Sequence, residues 1–222
     1  MLAPADLTAL RITVELAVLT TLILLLLATP LAWWLSRGHR FSYPLVNAVV
    51  ALPLVLPPTV LGFYILLFVG PHGPLVALGL PSLAFTFNGL LIGSMVYSLP
   101  FAVQPLRDAF TAMGRQPLEA AATLRAGPLD RFLTVALPLA RPGYLTAAVL
   151  TFAHTLGEFG VVLMVGGNIP GRTRLVSIAI YDHVESLNYA RAHALAALLL
   201  AASLLMLVPV YAINRRLVTW RP

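Results

Sequence analysis

Cysteine is absent from this 222-residue chain, and so is lysine. The first absence excludes a disulfide framework, thiolate-ligated zinc and a thiol nucleophile, and leaves the redox compartment unread. The second excludes a Walker A loop, whose lysine reaches the nucleotide phosphates. Any work driven by ATP and its Mg must therefore be done with the nucleotide on another chain. Charge of either sign is scarce too: 10% of the residues are charged, against about 25% in an ordinary soluble domain. The histidines at 39, 72, 154, 183 and 193 show no ligand spacing, so no metal site is expected.

What is present is apolar. Hydrophobic residues make up 59% of the chain, which points to lipid as the main solvent. The formal charge of +6 comes with fourteen basic residues, all arginine, at the ends of apolar segments rather than in a stripe. That is how a membrane protein is oriented, and it argues against nucleic acid as a partner.

The apolar runs predict an all-α, polytopic membrane protein of five spans, or six if a short element re-enters. They cover about Ile12 to Leu35, Leu45 to Val69, Phe85 to Val103, Gly143 to Val165 and Ala192 to Ile213. No internal repeat or low-complexity linker divides the chain, so residues 1–222 read as one domain. The first run has no basic n-region before it and no small-residue cleavage site after it, which makes it a span rather than a signal peptide. Arg11 and Glu15 are spaced to pair on a helix at one interface. The patch from Leu175 to Tyr181 is too short to cross and is the candidate for the sixth element.

With five spans the loops alternate sides. Ten arginines (37, 40, 107, 115, 125, 131, 141, 215, 216 and 221) fall on one side and four (11, 172, 174 and 191) on the other. The positive-inside rule makes the larger group cytoplasmic, with the amino terminus outside and the carboxyl terminus inside.

Three features stand out within the spans. Pro53, Pro57 and Pro58 interrupt the second run; each removes an amide donor, giving either a packing kink or a bent helix that lines a path or acts as a hinge. Gly89 and Gly93 form a GxxxG, extended by Ser94 and Ser98, that admits a close backbone from the same subunit or from a second copy. Glu158 lies in the fourth run, and as one continuous helix its place would be roughly 22 Å beyond Gly143, towards the outer interface. Glu158 is read as a structural partner of backbone donors, Arg172 or Arg174. In the outer loop Asn168, Arg172 and Arg174 either meet a soluble partner or form a solvated turn.

The most polar stretch, Glu119 to Pro138, reads EAAATLRAGPLDRFLTVALP inside a cytoplasmic segment of about 107–141. Helix formers run to Arg125. Gly127 suits a left-handed C′ position and Pro128 the first turn of a second helix. Leu129, Phe132, Leu133 and Ala136 give that helix one apolar face, ending at Pro138. The pattern is a helix-turn-helix at the membrane surface.

EAA, a glycine-containing turn and a terminal LP resemble the signature of the permease subunits of binding-protein-dependent ABC importers. The resemblance implies that Glu119, Ala120, Ala121, Leu137 and Pro138 contact a cytoplasmic ATPase dimer. Arg125 stands where the family glycine usually falls, with glycine two residues later at Gly127. This implies either a shifted turn or an Arg125 that is not left-handed. LPLVLPPTVLG (52–62), GPHGPL (70–75) and LGEFGVVLMVGGNIPGRT (156–173) with AIY (179–181) are similar to the molybdate branch. Tungstate, sulfate and thiosulfate permeases are the alternatives. The resemblance further implies a homodimer, an extracytoplasmic oxyanion-binding protein and a non-catalytic role. A stand-alone secondary transporter would need repeats or coupling residues, for which the chain offers Glu158 and Glu15. A membrane enzyme lacks support because no GxSxG elbow or acid/base cluster is present.

Overall fold

The computed structural model describes residues 3–38 and 42–218, with side chains followed as far as Val208 in the last helix. Arg40, Arg221 and the side chains of Arg215 and Arg216, all used in the arginine count, lie outside the described residues. Among those described there is no strand.

The chain runs α1 (Pro4–Leu35), α2 (Ser42–Ala51), a 3-10 turn (Leu52–Leu54), α3 (Pro58–Val69), α4 (Pro74–Ala77) and α5 (Phe87–Met113). It continues with α6 (Gln116–Thr123), α7 (Pro128–Arg131), a π turn (Phe132–Ala136), α8 (Leu137–Leu139) and α9 (Arg141–Leu156). The last elements are α10 (Gly160–Gly166), α11 (Val176–Glu185) and α12 (Tyr189–Val218).

Among the described residues four helical stretches are long and apolar enough to cross a membrane: Pro4–Leu35, Pro58–Ala77, Phe87–Met113 and Tyr189–Val208. A fifth arises if Pro128–Leu139 and Arg141–Leu156, bent by 68°, count as one. The fold is therefore the all-α membrane bundle expected, with two of its runs broken. The second run stops at Ala51, turns through Leu52–Leu54 and restarts at Pro58. Pro57 is the extended N-cap of α3 and Pro58 its first residue, where a missing N–H costs nothing. Pro53 is buried within the 3-10 turn. The fourth run breaks at 157–159, so α10 is a separate short helix. Val176–Glu185, at ten residues, is about 15 Å long, half a hydrocarbon core.

α1, α5 and α9 form the centre. Ala28, Ala32, Ala102, Ala136 and Ala147 are fully buried there, and small residues let the backbones approach to van der Waals contact where lipid supplies no hydrophobic drive between helices. Leu24, Leu106 and Phe110 fill the space beside them. A second group, Ile12, Leu16, Leu90, Val162 and Ile178, joins α1, α5, α10 and α11. A third, Leu61, Ile65, Val161 and Val165, locks α3 to α10. Leu22, Leu26, Leu67 and Leu205 point outwards and are more than half exposed, as a lipid-facing surface requires.

The GxxxG lies inside this packing. A Cβ on Gly93 would stand 3.3 Å from Val161 Cγ1, and one on Gly89 would come within 2.2 Å of the Leu83 carbonyl oxygen and 3.4 Å of Val165 Cγ1. Within the subunit, then, these glycines seat α10 and the turn before α5. Arg11 and Glu15 are both exposed, and no ion pair joins them among the described residues. Asp6 instead pairs with His183 at 2.9 Å, tying the start of α1 to α11.

Candidate coupling loop and intramembrane break

The polar loop begins at Gly114, whose φ of 69° turns the chain out of α5. α6 then carries Glu119, Ala120 and Ala121, with Glu119 and Ala120 exposed. Its end is closed by two hydrogen bonds: the Arg125 N–H donates to the Ala122 carbonyl at 3.0 Å, and the Ala126 N–H to the Ala121 carbonyl at 3.1 Å. This is the paired-bond pattern of a Schellman cap, which demands a left-handed C′ residue. Arg125 is that residue, with φ of 61°.

Both expectations for the turn are thereby corrected. It has not shifted to Gly127, and Arg125 does take the left-handed conformation. Gly127 has φ of −68° and ψ of 166°, and acts as the N-cap of α7 with Pro128 following. The two capping bonds hold Arg125 in a conformation that an L-residue adopts at a cost of roughly 1 kcal/mol.

Pro138 does not end the second helix. The chain remains helical to Leu139 and bends at Ala140. A π turn at Phe132–Ala136, closed by the Leu137 N–H on the Phe132 carbonyl, precedes the proline. Widening the helix there accommodates a residue that has no N–H to return and whose ring would crowd a regular turn. The expected apolar face is divided. Ala136 is buried and Phe132 meets Trp33 edge-on at 5.0 Å, while Leu129 and Leu133 are 70% and 50% exposed. With Leu124 at 83%, they give the loop an open apolar surface.

Beside the loop is a cavity of about 400 Å³ lined by Arg37, Arg115, Arg131 and Glu119, with Trp33 and Phe110 beneath. The Arg37 guanidinium lies 3.5 Å from the centre of the Trp33 ring. Burial, and then the charges of Arg131 and Arg115, lower the Arg37 pKa from the ordinary arginine value.

The other notable geometry is the break between α9 and α10. Glu158 is 2% exposed. Its Oε2 accepts from Ser94 Oγ at 2.6 Å, and its backbone carbonyl accepts from Ser177 Oγ at 2.6 Å. Its Oε1 is buried with no partner among the described residues. Ser98 Oγ lies 2.9 Å from His154 Nδ1 and 3.1 Å from Thr155 Oγ1. His154 stacks on Phe101 at 4.1 Å. Glu158 and His154 border a cavity of about 580 Å³ that Pro58, Thr59 and Tyr97 also line. Gly160 makes the approach of Pro58 feasible, because a Cβ there would stand 2.8 Å from Pro58 Cβ.

The sequence from residue 17 to residue 219 matches the family described as binding-protein-dependent transport system inner membrane component. The chain belongs to that family. It is 58% identical over 218 residues, 96% of each chain, to the molybdenum transport system permease protein ModB of Azotobacter vinelandii. To ModB of Haemophilus influenzae it is 34% identical, over 82% of this chain and 81% of that one. Similarity to the sulfate transport system permease protein CysT of Salmonella typhimurium is 33% identity, over 84% of this chain and 68% of that one. Among solved structures, the MetNI methionine ABC transporter superposes with a TM-score of 0.74 at 19% identity, covering 97% of this chain and 99% of that chain. At that identity the match speaks for the fold alone.

In this permease one of the three hinge candidates, Pro58, comes together with Glu158, and the outer-loop candidates do not join them. Pro58 and Glu158 share one cavity. The expectation, drawn from a continuous helix, that Glu158 partners Arg172 or Arg174 is corrected: past the break at Gly157 its carboxylate accepts from Ser94. Arg174 pairs with Asp182 at 3.2 Å. Asn168 donates to both carboxylate oxygens of Asp182 and accepts from Arg174 Nε at 2.6 Å. Arg172 stays exposed. Asp182 and the arginine cavity were missed by sequence reasoning, since neither has a short motif. Ser94 and Ser98 were visible as small residues but not as donors, their partners lying 64 and 56 positions away.

Proposed function

We propose that this permease is the membrane-spanning subunit of an ATP-driven importer that carries molybdate across the cytoplasmic membrane. The observation that carries the reading is 58% identity across 96% of both chains to a molybdenum permease. The amino terminus is outside and the carboxyl terminus cytoplasmic, on the arginine count. Two copies of the chain enclose the path. A pair of cytoplasmic ATPases, holding ATP and Mg, engages the loops through Glu119, Ala120, Ala121, Leu137 and Pro138. An oxyanion-binding protein docks outside, and the permease itself performs no bond chemistry.

The connectivity suits transmission. α7, the π turn and α8 form one helical rod that meets α9 at a 68° bend, and α9 ends at the Glu158 break against Pro58. Displacement of the loop is passed along α9, a helix of 16 residues, to the cavity about 24 Å away. Closure of the ATPases moves the loops, the rods tilt, and the Pro58 side of the cavity shifts against the α9 side.

The test is uptake of radiolabelled molybdate by cells lacking their own molybdate permease, supplied with this chain and its cognate ATPase and binding protein. Tungstate and sulfate are added as competitors. ATP-dependent uptake resisting excess sulfate is expected. Displacement by sulfate at equal concentration would move the assignment to the sulfate branch, and uptake by the chain alone without ATP would overturn the importer reading.

A further inference from the structure

One face of α1 lines two adjoining cavities of opposite character. Leu22, Leu25, Leu26, Thr29, Pro30 and Trp33 border an apolar groove of about 840 Å³, whose far wall includes Phe132 and Tyr144. Trp33 also lines the arginine cavity, where the same face continues to Ser36 and Arg37. The spacing follows the helical repeat, so the groove leads along α1 to the three guanidiniums. From Leu22 to Trp33 is roughly 16 Å at 1.5 Å per residue, about the depth of one leaflet of a ~30 Å hydrocarbon core.

The charges at the head of the groove are not compensated. Arg37, Arg115 and Arg131 face one carboxylate, that of Glu119. Among the described residues none of the three arginines forms an ion pair. Arg131 and Arg115 lie close enough to Arg37 for their charges to repel it. A trio of guanidiniums at the end of a leaflet-deep apolar channel has the form of a headgroup and acyl-chain site.

We propose that this groove binds an anionic phospholipid of the cytoplasmic leaflet, its phosphate among Arg37, Arg115 and Arg131 and one acyl chain along α1. The inference rests on the orientation proposed above, but not on the cargo. The lipid bridges the end of α1, the entry to α6 and α7, and so braces the coupling loop from the membrane side.

The experiment uses the full chain with Trp34→Phe and Trp220→Phe, leaving Trp33 as its fluorophore, in phosphatidylcholine nanodiscs. A tenth of the lipid is replaced by brominated phosphatidylglycerol or, separately, by brominated phosphatidylcholine, and quenching of Trp33 is compared. Phosphatidylglycerol is expected to quench preferentially, by about fivefold per engaged arginine. The preference should fall to that of Arg37 alone, about fivefold, in an Arg115→Gln/Arg131→Gln variant whose thermal midpoint is unchanged. Equal quenching of the parent by the two lipids, or a preference undiminished by the arginine changes, overturns the proposal. Absence of quenching by either lipid does so as well, because a second protein copy then covers the groove. Molybdate uptake is measured separately, so failure of the lipid site leaves the transport reading intact.

Discussion

Ser94 Oγ donates a 2.6 Å hydrogen bond to Glu158 Oε2, fastening the first third of α5 to the break between α9 and α10. The second carboxyl oxygen of Glu158 has no partner among the described residues. An acidic side chain so placed costs desolvation unless hydrogen bonding offsets it. Glu158→Gln keeps an acceptor for Ser94 and should preserve folding with uptake within a few-fold of the parent. Glu158→Ala leaves the Ser94 hydroxyl unpaired and should cost about 1–3 kcal/mol, read as a lower thermal midpoint. Equal stability of the two variants would show that the bond contributes nothing.

Arg125 occupies a left-handed position within a Schellman cap. Arg125→Gly should raise stability by about 1 kcal/mol, and Arg125→Val should lower it, since a β-branched residue tolerates positive φ poorly. Gly127→Ala is expected to change it by less than about 0.5 kcal/mol, because Gly127 is extended and a Cβ there meets nothing within 4 Å. Thermal unfolding of the three proteins in one detergent distinguishes this from a turn centred on Gly127, which would reverse the order.

Glu119 is exposed on α6. Glu119→Lys should reduce co-purification of the ATPase by tenfold or more, about 1.4 kcal/mol, with an unaltered thermal midpoint. Undiminished association would remove Glu119 from the coupling contact.

Gly160 separates the start of α10 from Pro58 by less than a methyl group allows. Gly160→Val should cost about 1–3 kcal/mol through overpacking and reduce uptake more than Gly79→Ala. Gly79 has open space, although its φ of 83° strains any side chain. Wild-type uptake by Gly160→Val would mean that α3 and α10 separate freely at this point.

Much of this was legible before any coordinates. Apolar runs reveal helices in lipid because a span must be both continuous and greasy, and α1, α5 and α12 follow that rule. The fourth run obeys it too, yet it is broken. Gly157 and Gly160 weaken a helix only modestly, and what divides it is the approach of Pro58 and the bonds from Ser94 and Ser177, all distant in sequence. The family pattern located the loop, but not the state of Arg125, because two backbone hydrogen bonds outweigh a local preference of about the same size. Pro138 misled for a related reason: a proline stops a regular helix, whereas a π turn placed just before it lets the helix continue.

The buried groups also close in chain order. The cluster around Leu106 and Phe110 is complete once Ala147 is made, that between α3 and α10 by Val165, that around Leu16 by Ile178, and the last with Leu195. From Ala196 to Val208, α12 is mostly exposed. During synthesis the bundle can thus settle progressively behind the ribosome. The final helix arrives at a core already built and offers its uncovered length to lipid or to another chain.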